Sequence, residues 1–304
     1  MENNQSLYLN DSDVKIPSSD NSSNYMGFLS SEIGHPSQSN CLFHVIPAGY
    51  EKSVSYGSGT QSGPQAIIEA SQQLEMFDGH SIPADHGIYT HPPLIFNDND
   101  EVNILLIEKT VSSVLNKQKK PVLLGGEHTV SVGAFQALSK RNENIGIVQF
   151  DAHADLRDSF KGNNLSHACV MKRAIDLGFP VAQFGVRSLS YEEHIFRKNK
   201  KIFHVDAVSL AKMTNINQSL PDNFPEMIYI TFDLDCLDPS VISSTGTPVP
   251  GGLTWYQAIA LLNSIAKGKI IIGFDVVELA PIAGHHASDF AAASLVYTMM
   301  GITI

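Results

Sequence analysis

Ile145-Gly-Ile-Val-Gln-Phe-Asp-Ala-His-Ala-Asp155 is the stretch on which the fold turns. Its first six residues are apolar apart from Gln149, the signature of a strand buried on both faces. It then ends in three polar residues at spacing two: Asp151, His153 and Asp155. Two further runs repeat the plan. Pro121-Val-Leu-Leu-Gly-Gly-Glu-His128 ends in a Gly-Gly turn that presents a histidine, and Met227-Ile-Tyr-Ile-Thr-Phe-Asp-Leu-Asp235 ends in two aspartates followed by Cys236-Leu237-Asp238-Pro239.

Outward from these runs, short apolar segments alternate with helix-length amphipathic ones. Strands are predicted at Leu42 to Ile46, Val122 to Leu124, Ile145 to Phe150, Val181 to Val186, Ile202 to Val205, Met227 to Phe232 and Ile270 to Phe274. Helices are predicted between them at Pro64 to Met76, Val102 to Lys117, Val130 to Ser139, His167 to Asp176, Tyr191 to Lys198, Trp255 to Ala266 and Ala287 to Met300. Apolar strands separated by helices make an α/β fold with a mostly parallel sheet covered on both faces. Ligands of such sheets bind at the carboxyl ends of the strands. The first forty residues are rich in Asn, Ser and Asp and lack apolar periodicity, so residues 1–40 are read as a polar, loosely ordered arm that Tyr25 to Leu29 can anchor. Residues 41–304 show no composition break and are read as one catalytic domain.

The 304 residues carry 31 acidic and 20 basic side chains, a formal charge of −11, which is opposite to the footprint of a nucleic-acid or anionic-membrane binder. A small cation is attracted instead, although the same acidity serves solubility in many enzymes. Cys41, Cys169 and Cys236 are far apart and odd in number, so neither a disulfide framework nor a Cys-x-x-Cys zinc site is expected. No apolar run approaches the roughly 20 residues that span a bilayer, and no basic-then-apolar leader opens the chain. The cytoplasm is the expected compartment.

Residues two apart on an extended chain point to one side, so Asp151, His153 and Asp155 can converge, as can Asp233 and Asp235. Four carboxylates that close repel one another unless positive charge sits between them, and divalent cations supply it. Oxygen and imidazole ligands without thiolate suit Mn²⁺, Fe²⁺, Ni²⁺ or Co²⁺ and argue against structural zinc. With His128 the set has six members, more than one open catalytic ion takes from protein, so two ions bridged by shared carboxylates are expected.

The segments Gly125-Gly-Glu-His128, Asp151-Ala-His-Ala-Asp155, Ser166-His167, Asp233-Leu-Asp-Cys-Leu-Asp-Pro239, Thr245-Gly-Thr-Pro-Val-Pro-Gly-Gly-Leu253 and Asp275-Val-Val-Glu278 resemble, in order and spacing, the ureohydrolase family of arginases and agmatinases. The resemblance runs from about Tyr50 to the C-terminus and is strongest to the agmatinases. It implies a three-layer α/β/α sandwich around a parallel, eight-stranded sheet. It implies that His128, Asp151, Asp155 and Asp233 bind one Mn²⁺, and that Asp151, His153, Asp233 and Asp235 bind the other, with Ni²⁺ or Co²⁺ as possible substitutes. It also implies a homo-oligomer, a trimer or hexamer.

The implied chemistry is attack of water, made acidic by the ions, on a guanidinium carbon to give urea and an amine. Four aspartates balance two dications, so with hydroxide added the site carries −1 and favours a cation over a neutral amide. Glu278 matches the family's guanidinium-binding glutamate, where a carboxylate grips the guanidinium as a fork. His167, twelve residues after Asp155, matches its proton-shuttling histidine. Asp155-Leu-Arg-Asp158 and Ser166-His-Ala-Cys-Val-Met171 are agmatinase-like, so agmatine, giving putrescine for polyamine synthesis, is the expected substrate. Asn163, in the loop Lys161-Gly-Asn-Asn-Leu-Ser166, can supply the polar groups that an arginase gives its substrate. Arginine, guanidinobutyrate, formiminoglutamate and guanidine therefore stand as alternatives within the chemistry, and a non-catalytic metal-binding member of the fold stands outside it.

Several residues receive plainer readings. His285 and His286 are adjacent, point apart on an extended chain, and are read as a rim or cap. Asp238 before Pro239 is read as a turn residue orienting the ligand loop, and Cys236 as a small buried filler. The glycine-rich stretch Tyr56 to Pro64 lacks the ending of a phosphate loop and is read as the pocket mouth. Three positions depart from the common pattern: Ser243-Ser244 stand where agmatinases commonly have Pro-Gly, and Glu127 stands where Asp is more frequent.

Overall fold

The structure, a computed structural model, describes residues 25–213 and 216–304. Its strands are β1 (Phe43–Ala48), β2 (Ile88–Thr90), β3 (Lys120–Gly125), β4 (Ile145–Phe150), β5 (Val181–Phe184), β6 (Phe203–Val205), β7 (Met227–Asp233) and β8 (Ile270–Val277). They form one parallel, eight-stranded sheet in the order β2-β1-β3-β8-β7-β4-β5-β6. The helices are α1 (Ser30–Ile33), α2 (Gly63–Ser71), α3 (Asp100–Leu115), α4 (Val130–Ser139), α5 (Val170–Asp176), α6 (Tyr191–Asn199), α7 (Ala207–Leu210), α8 (Trp255–Ala266) and α9 (His286–Ile302).

Alternation along the strands sends neighbours to opposite faces and makes two cores. Val122, Leu124, Val148 and Phe150 pack on one side with α2, α8 and α9, whereas Leu123, Ile145 and Ile147 pack on the other with α3, α4 and α5. The result is the expected three-layer α/β/α sandwich. Phe150 stacks on Phe184 and Phe232 at centroid separations of 5.6 and 5.0 Å, directly beneath the polar end of β4. Truncating such a ring to alanine costs about 3–5 kcal/mol, so the floor of the site is held by core packing.

The chain leaves β3 through α4, skips two positions to β4, continues outward to β5 and β6, then returns to fill the gap with β7 and β8. That reversal makes β3, β8, β7 and β4 the central strands, and their carboxyl ends share one crevice. Caps fix the loops around it. Glu193 closes the capping box of α6 with Ser190 and also accepts the Leu156 N–H at 3.0 Å, tying the chain after Asp155 to that helix.

Differences from the sequence reading have local causes. β2 has only three residues and exists by pairing with β1, so it carries no strand-length pattern of its own. The expected helix at Pro64 to Met76 stops at Ser71. Of the expected polar arm, residues 1–24 lie outside the described residues, while Phe28 and Leu29 are buried and the Tyr25 hydroxyl donates to the Thr90 carbonyl at 2.9 Å. Among the described residues no helix is long and apolar enough to cross a membrane.

Candidate metal centre

Each central strand delivers part of the site: His128 follows β3, Asp151 to Asp155 follow β4, Asp233 ends β7 with Asp235 beyond it, and Glu278 follows β8. His128, His153, Asp155, His167, Asp233, Asp235 and Glu278 line one cavity, and Asp151 lies within reach of His128, His153, Asp233 and Asp235. The convergence does not come from extended alternation, as the sequence reading assumed. β4 stops at Phe150, Asp155 takes a left-handed φ of 51°, and Asp235 sits in a 3₁₀ turn, Leu234–Cys236. Hydrogen bonds from the backbone curl both strand ends back on their own carboxylates: His153 N donates to Asp151 Oδ1 at 2.6 Å, and Asp235 N to Asp233 Oδ1 at 2.8 Å. Glu278 also has a left-handed φ, of 69°, which an L side chain adopts only where neighbours enforce it. Its Oε1 accepts His128 N at 2.7 Å, and its own N–H donates to the Gly126 carbonyl at 2.9 Å.

Two groups of side chains are placed to share an ion. His128, Asp151 and Asp233 offer ligand atoms within 4.8 Å of one another, as do Asp151, His153 and Asp235, so Asp151 belongs to both groups. Asp155 stands with the first, its Oδ2 lying 3.0 Å from His128 Nδ1. That nitrogen supplies a test of whether a cation fits. Nδ1 lies 3.0 to 3.6 Å from the carboxylates of Asp155, Asp151 and Asp233, yet makes no aligned hydrogen bond to any of them. The other ring nitrogen explains why. Thr231 Oγ donates to Asp275 Oδ1 at 2.7 Å, so it can only accept from His128 Nε2, 2.8 Å away. A proton therefore sits on Nε2, which leaves Nδ1 as the nitrogen that faces the cage of carboxylates: without a metal a second proton satisfies it, and with one its lone pair is free to bind, the arrangement of a metal-ligating imidazole.

Charge balance points the same way. Burial and the neighbouring Asp235 and Asp151 raise the Asp233 carboxyl well above the usual range, and burial with Asp151 pushes Asp155 up to about 7. Burial alone would lower His153, but its contacts with Asp151 and Asp235 push it up to about 12. Burial opposes ionisation of Asp151, yet His128 and His153 hold it below the usual carboxylate range. The imidazoles are thus pressed into holding protons that divalent ions would replace.

Not every candidate sits in the cavity. Asn163 braces its own loop, its Oδ1 accepting Leu165 N at 2.8 Å, and does not line the pocket. His285 meets Ser243 at the surface, Nε2 to Oγ 3.1 Å, and His286 opens α9. Asp238 accepts from Ser240, Gly251 and Gly252, which holds its carboxyl down at about 2 and shapes the loop beyond Asp235. Cys236 is buried against Gly185.

Other residues escaped the sequence reading. The Arg187 guanidinium binds the carbonyls of Asp235 and Val249 at 2.7 and 2.6 Å and reaches those of Gly185 and Cys236, stapling the ligand turn to the following loop. Gln149 Nε2 donates to Asp151 Oδ2 at 2.7 Å, and Gln183 donates in turn to Gln149. Gln149, Thr231 and Asp275 do leave a signal, each being a lone polar residue inside an apolar strand, where burial demands a partner.

Comparison with known proteins agrees with this geometry. The Arginase family model matches residues 42–301. The chain is 36% identical to the N(1)-aminopropylagmatine ureohydrolase of Synechocystis, covering 90% of this chain and 92% of that one. It is 32% identical to the agmatinase of Pyrococcus horikoshii, covering 85% and 91%. Among solved structures it is similar to the agmatine ureohydrolase of Thermoplasma volcanium, with a TM-score of 0.80 and 26% identity over 92% of this chain and 94% of that one. From strand order to motif, the chain belongs to the arginase family.

Proposed function

We propose that the chain is a binuclear-metal ureohydrolase, with residues 41–304 as its catalytic domain, that cleaves agmatine to putrescine and urea. The observation that carries this reading is the crowding of four aspartates and two imidazoles at the ends of β3, β4 and β7, in a cavity that Glu278, after β8, also enters. His128, Asp151, Asp155 and Asp233 would hold one ion and Asp151, His153, Asp233 and Asp235 the other, with Mn²⁺ the leading metal and Ni²⁺ or Co²⁺ as substitutes. When bound, such ions polarise water and bring its ionisation toward neutral pH.

The chain's own groups do the rest. Burial pushes the Glu278 carboxyl up to about 8, so a guanidinium that arrives beside it restores the anion and gains a charge-assisted bond. Asp155, beside His128 in the first ligand group, would orient the attacking water and receive its proton. Burial and the nearby imidazoles lower His167 to about 4, so it rests neutral and becomes a strong acid once protonated, suited to passing that proton to the departing amine. Asn163 would act from the loop that leads into His167. A cytoplasmic homo-oligomer, a trimer or hexamer, completes the proposal.

A second reading has one specific observation behind it: a relative at 36% identity is named for aminopropylagmatine, agmatine lengthened by an aminopropyl arm. One experiment separates the readings. Urea release is measured for agmatine, aminopropylagmatine, arginine, guanidinobutyrate and guanidine, with Mn²⁺ and Ni²⁺ compared. The proposal expects the highest kcat/KM for agmatine. A preference for another compound moves the substrate, and no urea from any of them ends the ureohydrolase reading.

A further inference from the structure

Proton transfer at His167 requires one ring nitrogen to carry hydrogen and the other to face the reaction bare, so the tautomer matters. Both nitrogens meet serine hydroxyls from the loop after β1: Nδ1 lies 3.1 Å from Ser53 Oγ, and Nε2 lies 2.8 Å from Ser55 Oγ. A hydroxyl can donate or accept, so these two contacts alone leave the proton unassigned. Ser53, however, has no such freedom. Its hydroxyl lies 2.8 Å from Oε1 of Glu127, a fully buried carboxylate next to the ligand His128.

Glu127 is surrounded by donors. The backbone N–H groups of Lys52 and Ser53 reach Oε2 at 2.7 and 2.6 Å, and the Thr129 hydroxyl reaches Oε1 at 2.6 Å. With Ser53 these make four donors on two oxygens, the acceptor capacity of a carboxylate. The Ser53 hydrogen is therefore committed to Glu127, and Ser53 Oγ can only accept from its other neighbours. The nearer ones are the His167 backbone N–H and the ring at Nδ1, both at 3.1 Å, while the Ser166 hydroxyl stands farther off, 3.4 Å from Ser53 Oγ and from Nδ1 alike.

We propose that Ser53 and Glu127 are positioning residues that fix His167 as the Nδ1–H tautomer, with Nε2 presented bare to the cavity. The kinetic part of this rests on the ureohydrolase reading, whereas the tautomer does not. The device repeats that of His128, where Thr231 stands between imidazole and Asp275, but protonates the opposite ring nitrogen. One imidazole thereby offers Nδ1 and the other Nε2. The fold permits the relay because Gly126, without a side chain, lets the Tyr50 carbonyl close on the turn after β3 and accept the Glu127 N–H at 2.8 Å. Ser55, exposed and lining the cavity, donates to the bare Nε2.

Neutron diffraction of the metal-loaded full chain above pH 7 tests the tautomer directly. A deuteron on His167 Nδ1, with the Ser53 deuteron aimed at Glu127, is expected; a bare Nδ1 overturns the proposal. Kinetics test its use. In Ser53→Ala, kcat falls about tenfold while KM and the two bound ions are unchanged, and Ser53→Thr restores kcat. Wild-type kcat in Ser53→Ala, or equal losses in both variants, overturns the positioning role. If the wild-type chain releases no urea at all, the ureohydrolase reading falls, while the neutron map still decides the relay.

Discussion

His44 and His91 touch each other, whereas His128 and His153 are linked only through Asp151 between them, and the two sets have opposite outcomes. His44 Nδ1 lies 3.1 Å from His91 Nε2, and both rings pack on Tyr89 at centroid separations of 5.5 and 4.9 Å. Burial, aided by nearby lysines, pushes His44 down to about 4 and His91 to about 3, so the pair is a neutral piece of core. His128 is as deeply buried as His44, yet its contacts with Asp151 and Asp155 hold it well above the ordinary value. Burial therefore does not distinguish a structural histidine from one proposed to bind metal. What distinguishes them is the number of carboxylates in reach and the partner that claims the second ring nitrogen.

The strongest way to break this contrast is Asp151→Ala. Asp151 belongs to both metal-capable groups, so its loss is expected to empty the centre and reduce turnover to background. An ion and substantial activity retained together would show that Asp151 is not shared. A smaller effect is expected for Thr231→Val, which removes the hydroxyl between His128 and Asp275. With the tautomer released, metal affinity falls about 10–100-fold, read by titration with a competing chelator. Unchanged affinity would leave the Thr231 contact without a role in ligand orientation.

The smallest effect sharpens the other pair. His44 has a folded pKa of about 4, below its unfolded value of 6.5, so the unfolded chain binds the proton first. Its contribution to stability is complete above pH 6.5 and is lost as pH falls from there toward 4. Between pH 7 and 5 that loss is on the order of 2 kcal/mol. Denaturant unfolding of metal-free His44→Gln is expected to show a correspondingly shallower pH dependence. An identical slope in variant and wild type would remove His44 from the acid response.

Much of this was legible in the sequence because it is written locally. β3, β4, β7 and β8 are apolar nearly throughout, and their polar endings carry the candidate site residues at short, fixed spacing. The orienting partners were not legible, because each depends on strands that meet only in the fold. Thr231 acquires its role from His128 and Asp275, and Ser53 from Glu127 and His167, more than 70 residues away in each case except the 44 that separate Thr231 from Asp275. β2 was hidden for a related reason, being a strand only because β1 lies beside it. The left-handed turns at Asp155 and Glu278 were equally invisible, since neither is a glycine that would announce one.

The central claim is that the carboxylate crowding at the ends of β4 and β7 exists to hold two ions. The most direct test is the metal content of the full chain after loading with Mn²⁺ and removal of free metal, measured by inductively coupled plasma mass spectrometry. Two ions per chain are predicted, and both are lost in Asp151→Ala. A wild-type chain that retains one ion or none would contradict the account.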